Sequence, residues 1–265
     1  MYQKELQISQ QAAKKAGQFL KKEFFAWDNN LDNKKIKYKN GKERVTWCDK
    51  KAEQLILNIL NKNFPSYSRL SEESGIKDKA SDYEWIVDPL DGTSNFTTHH
   101  PYFAVAIALS YKNEVVISVV YDIVLDEMYW AVKDNGAYRN NKKISVSKNT
   151  ILKKSLISYT HGSTVAETKK AFKLYEHFHL KAQKCRNFAC TSLQMAQTAA
   201  GYNEVFVSLG PKIWDVAAGA LLIKEAGGIV TGTQNKTWNT KSKSIVAGNR
   251  LHNKVLKDLK KLKLT

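Results

Sequence analysis

Apolar residues near the start of the chain recur on a helical period. Leu6, Ala12, Ala13, Ala16, Phe19 and Leu20 share one side of an amphipathic helix predicted over residues 3–24. "CDKKAEQLILNILNKNF" repeats the period and reads as a second helix, with Asp49 as its N-cap. Between the two, residues 29–44 are polar and lysine-rich, which predicts a loop or a hairpin. "YEWIVDP" reads as a short strand that stops at Pro89, because proline has no N–H to give a ladder. "YFAVAIALS", "VVISVVYD" and "EMYWAV" follow in close succession and predict antiparallel neighbours, with a turn at Asn135-Gly136.

Past about Lys148 the pattern changes to strands alternating with helices. "LISYT", "EVFVS" and "SIVAG" read as strands. "AETKKAFKLYEHF", "TSLQMAQTAAG", "DVAAGALLIKEAGG" and "RLHNKVLKDLKKLK" read as helices, the third ending in glycines suited to a C-terminal cap. The last sets Leu251, Val255, Leu256, Leu259 and Leu262 against Lys254, Lys257, Lys260, Lys261 and Lys263. That pattern fits a helix docked on the second half or, as an alternative, a basic helix on a membrane surface. No internal repeat or proline-rich linker interrupts the chain. The expectation is an α/β protein in two lobes: an α+β lobe over 1–145 and an α/β lobe over 146–265.

Composition narrows the classes. With 265 residues, 43% of them hydrophobic, the chain can bury a large core. No run approaches the roughly 18 apolar residues of a membrane span, and the polar N-terminus has no apolar signal core. Cys48, Cys185 and Cys190 show no paired spacing, as expected of reduced thiols in a cytoplasm. The net charge of +17 comes mostly from scattered lysines, which reads as a solvated surface before it reads as a nucleic-acid footprint. Against that background, residues 71–91 hold seven acids and only two lysines. A bound divalent cation is one reason for such a concentration.

"DPLDGTSNF", residues 88–96, sits in that acidic stretch. Asp88 lies at the end of a predicted strand, and Asp91 follows across a proline-stiffened turn, so the two carboxylates can converge. Gly92 and Thr93 come next, and their backbone N–H groups can seat a phosphate. Taken alone, the segment fits a capped turn as well as a metal site. Glu72 in "LSEESG" and Asp215 in "IWDVAAG" offer two more carboxylates, although a solvated loop acid and a helix cap are their simpler readings. Oxygen-only ligation suits Mg²⁺, and there is no zinc motif or Walker loop.

In order and spacing, "VTWCD", "SEES", "WIVDPLDGTSNF" and "WDVAAGALLIKEAGG" resemble the inositol monophosphatase family of Mg²⁺-dependent, lithium-sensitive phosphatases. The resemblance runs from about Val45 to Gly248. It implies a layered αβαβα sandwich, a homodimer and two or three bound Mg²⁺ ions. It also implies metal ligation by Glu72, Asp88, Asp91, Asp215 and the Leu90 carbonyl. Gly92 and Thr93 would hold the phosphate, with Asp91 and Asp215 also on the substrate, while Thr93, Asp49 and Glu72 orient the attacking water.

The resemblance weakens on the alcohol side. Ala189-Cys190-Thr191 stands where relatives often have Gly-Ser/Thr-Ala, so Cys190 either faces substrate or packs as a small buried thiol. Ser208 stands where animal enzymes have an inositol-contacting glutamate, which argues against strict inositol specificity. Lys212 and Arg186 are candidates to meet a second anionic group, or are surface charges. His99 and His100 are weak signals, and His161, His177, His179 and His252 read as surface or packing residues.

The sequence therefore predicts a cytoplasmic phosphomonoesterase acting on a small phosphorylated alcohol such as inositol monophosphate. The alternatives are the same chemistry on 3′-phosphoadenosine 5′-phosphate, fructose 1,6-bisphosphate or histidinol phosphate. From another class, the rival is a protein that binds RNA or a transcription complex.

Overall fold

The computed structural model describes residues 2–26, 37–39 and 43–265. Helix α1 (Gln3–Phe25) buries Ala12, Ala13, Ala16, Leu20 and Phe24, the side that the periodicity marks. The lysine-rich stretch lies mostly outside the described residues, but β1 (Lys37–Lys39) pairs antiparallel with β2 (Glu43–Val45). Helix α2 (Trp47–Asn63) packs on α1 through Cys48, Ala52, Ile56 and Leu60. Its N-cap is Thr46, and Asp49 sits instead at the third helical position, closing a capping box. The "TWCD" spacing carries that signal: Thr46 Oγ1 accepts from Cys48 N at 3.0 Å, and Asp49 Oδ2 accepts from Thr46 N at 2.7 Å.

An eight-stranded sheet follows. It comprises β3 (Ser68–Ser71), β4 (Gly75–Lys77), β5 (Tyr83–Asp91), β6 (Ala104–Tyr111), β7 (Glu114–Asp122), β8 (Glu127–Val132), β9 (Ala137–Arg139) and β10 (Lys142–Lys143). Their spatial order is β10-β9-β8-β7-β6-β5-β3-β4, antiparallel except for the parallel β3–β5 pair. Short helix α3 (Thr93–Thr97) leaves the end of β5.

The second sheet holds β11 (Leu156–His161), β12 (Lys184–Arg186), β13 (Val205–Leu209), β14 (Ile229–Thr231) and β15 (Ser244–Gly248) in the order β12-β11-β13-β15-β14. Four helices alternate with these strands: α4 (Val165–Lys181), α5 (Thr191–Ala199), α6 (Ile213–Glu225) and α7 (His252–Lys261). Helices α5 and α6 are largely buried and lie between the sheets, sharing one core with Ile86 and Ala106 on one side and Phe206 and Ile245 on the other. Helices α4 and α7 cover the outer face, where Val205, Val207 and Leu209 meet Phe178, Val255 and Leu259. The period-2 alternation of β13 decides this division, with Phe206 facing inward between outward valines. The result is five layers, α/β/α/β/α. The apolar side of α7 is thus covered by protein, which settles its role as a docked helix. Among the described residues, no helix is long and apolar enough to cross a membrane.

Candidate active site

Strand β5 does not stop at Pro89. It continues to Asp91 through a bulge, in which Asp88 pairs with Ala106 and Asp91 with Ala104. Pro89 and Leu90 therefore stand against the single residue Val105. In a regular strand, residues three apart point to opposite faces. The extra residue cancels that half-step and turns both aspartates toward the inner layer, while the Leu90 side chain packs on the α1–α2 side. Proline suits the bulge because no ladder hydrogen bond is asked of it there.

Gly92 then turns the chain into α3 with φ of 92°, a left-handed conformation open to glycine. A side chain there would also press on Tyr102 O at 3.1 Å and Cys190 Cβ at 3.3 Å. The Thr93 hydroxyl shares its proton between Asp49 Oδ1 at 2.8 Å and the Leu90 carbonyl at 3.0 Å. Asp49 is buried, and that burial raises its pKa against the lowering effect of its Thr46 and Thr93 hydrogen bonds.

The second half anchors the aspartates from the other side. Asp91 Oδ1 accepts from Thr191 N at 3.1 Å, and its Oδ2 accepts from both N and Oγ of Ser192 at 2.5 Å. The first turn of α5 thus grips the end of β5, a favourable place for a carboxylate. Asp215, at the third position of α6, accepts from Lys212 N at 3.0 Å. Cys190 is wholly buried, its thiol 3.4 Å from Asp91 O, and burial pushes its pKa well up. Of the two readings of Cys190, the structure takes the packed thiol; it does not face the cavity.

These elements enclose a cavity of about 450 Å³. Glu72, Asp88, Leu90, Asp91, Gly92, Thr93 and Asp215 line it, together with Ala189, Thr191, Ser208 and Lys212. Asp49 reaches it through Thr93. Burial, and then the charges of Glu72, Asp91 and Asp215, hold the Asp88 carboxyl well above the usual range. Asp215 is raised in the same way, by burial and by Asp91 and Glu72. Buried carboxylates facing one another are costly unless a cation joins them. Among the described residues, no three acids stand close enough to close on an ion as they are. Asp88 Oδ2 and Asp215 Oδ1 nevertheless take no hydrogen bond from any described residue, and every donor on this wall is oxygen. Such a set fits a hard divalent cation that draws the side chains together.

Several cavity residues carried no signal in the sequence reading. Arg44 lines the cavity and donates to Thr97 Oγ1 at 2.9 Å. His161 is there too, at the end of β11, with Nδ1 2.7 Å from Gly162 O. Thr160 donates to Ser208 Oγ at 2.9 Å, and the two are direct partners on parallel strands. The alternation of polar and apolar residues in "LISYTH" and "EVFVS" holds that information. Glu167 also lines the cavity, and the spacing from Thr164 to Glu167 is a capping-box signal. Arg186 is not in the wall; it is exposed and lies over the Phe188 ring.

Comparison with known proteins agrees with this geometry. The sequence model of the inositol monophosphatase family matches residues 1–264. An inositol-1-monophosphatase of Mesorhizobium japonicum is 34% identical over 266 residues, spanning 97% of this chain and 96% of its own. A Nus factor SuhB of Pasteurella multocida is 33% identical over 229 residues, spanning 85% of this chain and 84% of its own. Among solved structures, the extragenic suppressor protein suhB from Bartonella henselae has a TM-score of 0.89 at 32% identity, with 96% of this chain and 98% of that one covered. With its layers, its bulged aspartate strand and these relatives, the chain belongs to the inositol monophosphatase family.

Proposed function

We propose that this chain is a Mg²⁺-dependent phosphomonoesterase that hydrolyses a small phosphorylated alcohol, inositol monophosphate being the type substrate. The observation that carries this reading is the gathering of Glu72, Asp88, Asp91 and Asp215 beside the Gly92–Thr93 turn in one cavity. Glu72, Asp88, Asp91, Asp215 and the Leu90 carbonyl hold two or three Mg²⁺ ions. Bound there, Mg²⁺ supplies the positive charge that acidifies water and steadies the departing oxygen. The first-turn N–H groups of α3 hold the phosphoryl oxygens, where charge spreads in the transition state. Thr93 donates its hydroxyl hydrogen bond to Asp49, which leaves its lone pairs to orient the attacking water, and Glu72 accepts that water's proton. Ala189, Thr191 and Ser208 border the space left for the alcohol.

The same reading makes the protein a cytoplasmic, lithium-sensitive homodimer. Its test is phosphate release from inositol 1-phosphate, glycerol 2-phosphate, fructose 1,6-bisphosphate, 3′-phosphoadenosine 5′-phosphate and histidinol phosphate, with Mg²⁺, with EDTA and with lithium. Turnover that needs Mg²⁺ supports it, and a strong preference for one ester names the substrate. A second reading, binding to RNA or a transcription complex, draws on the net charge of +17 and on the relative named as a Nus factor. RNA binding that weakens steeply with salt, in a protein that turns over no ester, would favour it.

A further inference from the structure

Glu167 stands at the third position of α4 and lines the cavity on the wall supplied by the second half of the chain. One oxygen is committed: Thr164 N donates to Oε2 at 3.0 Å and Thr164 Oγ1 at 2.7 Å. The other oxygen, Oε1, takes no hydrogen bond from any described residue. A capping-box glutamate needs only its own helix start. This one is also seated between two loop backbones. A Cβ at Gly162 or at Gly210 would overlap its carboxylate, and Gly210 holds a φ of 80° besides. Strands β11 and β13 are thus each followed by a glycine that leaves the carboxylate room.

The surroundings state what such an acceptor can read. Thr160 and Ser208 bring hydroxyls, and Lys212 brings an ammonium donor, to the same cavity. An ionised carboxylate only accepts, so its complement is a hydroxyl or ammonium donor on the ligand. It repels a second phosphoryl group at that position. We infer that Glu167 is a specificity residue: its free oxygen accepts a hydrogen bond from a hydroxyl neighbouring the phosphate ester. This rests on the phosphomonoesterase reading above and selects among its substrates, against bisphosphates and against esters of alcohols that carry no second hydroxyl.

The test compares wild type with Glu167→Gln on inositol 1-phosphate, which has flanking hydroxyls, and on p-nitrophenyl phosphate, which has none. Gln can keep its oxygen on the Thr164 donors and so preserve the helix cap, while it turns an NH₂ toward the cavity. A thermal melt checks that the fold survives. The expected result is a fall of about 10- to 100-fold in the ratio of kcat/KM for the two esters, carried mainly by KM. Glu167→Ala should lower the ratio at least as far. An unchanged ratio, whether both activities hold or both drop together, overturns the inference and leaves the phosphatase reading intact. No Mg²⁺-dependent turnover of either ester by the wild type sinks both.

Discussion

The two walls of the cavity are built on different principles. The aspartate wall fixes charge with backbone: Leu90 N on Asp88, Thr191 N and Ser192 N on Asp91, Lys212 N on Asp215. Its carboxylates are buried close enough to raise one another's pKa. The wall from β11 and β13 fixes hydroxyls through other hydroxyls, Thr191 to Thr160 at 3.3 Å and Thr160 to Ser208 at 2.9 Å. The first wall spends stability to hold chemistry in place. The second, made of neutral hydroxyls, carries no such mutual repulsion of charge.

The largest effect should come from neutralising the first wall. Asp88→Asn should cut Mg²⁺-dependent phosphate release at least about a thousandfold, about 4 kcal/mol of transition-state stabilisation. The metal-free protein should nonetheless melt higher by a few degrees, at roughly 2–4 °C per kcal/mol. The pH dependence has a definite sign. The Asp88 pKa is raised above its ordinary 3.8 in the folded state. Between those values the unfolded chain binds fewer protons than the folded one, so the stability from this group is fully present at low pH and is lost as pH rises. In EDTA, the melting advantage of Asp88→Asn over wild type should open as pH climbs above 3.8 and vanish below it. A gap that stays constant with pH would mean that Asp88 carries no such strain.

A smaller loss separates the hydroxyl of Thr93 from its methyl. Thr93→Ala removes the donor to Asp49 and should lower kcat about a hundredfold, within the range of general acid–base contributions. Thr93→Ser keeps the hydroxyl and should recover most of that. If Ser behaves like Ala, the methyl packing matters and the proposed water-orienting role falls. On the second wall, Thr160→Val breaks the Thr191–Thr160–Ser208 chain. The net worth of a hydrogen bond, about 1 kcal/mol, predicts roughly a fivefold rise in KM with kcat held. A matching fall in kcat would erase the distinction between the walls.

The same contrast governs what could be read from sequence. The aspartate wall is contiguous, and "DPLDGTSNF" carries the acids, the turn and the start of α3 within nine residues. Even so, Pro89 read as a stop where it marks a bulge, because alternation alone does not reveal an inserted residue. Asp49 reads as a cap because an acid before a helix is a common cap, although Thr46 has the extended backbone that the position needs. The second wall gathers Thr160, Ser208, Glu167 and Lys212 from two strand ends and two helix starts. Only the β11–β13 pairing brings them together. Strands β12 and β14, of three residues each, are too short for any period to show.

The smallest effect tests where the walls meet. Ala189 lines the cavity just before α5 and holds a φ of 52°, a conformation that disfavours any residue with a Cβ. Its N–H donates to Asn187 Oδ1 at 2.9 Å, which holds the turn in place. Left-handed backbone costs a non-glycine residue about 1–2 kcal/mol, and glycine gives part of that back through a looser unfolded chain. Ala189→Gly should therefore stabilise the protein by about 1 kcal/mol or less, a rise in Tm of at most roughly 2–4 °C. The same turn presents Thr191 to both Asp91 and Thr160, so relief of strain there should reach both walls equally. A fall in Tm would mean that the Ala189 methyl supplies packing worth more than the strain, and that this junction is held by side chains rather than by its backbone.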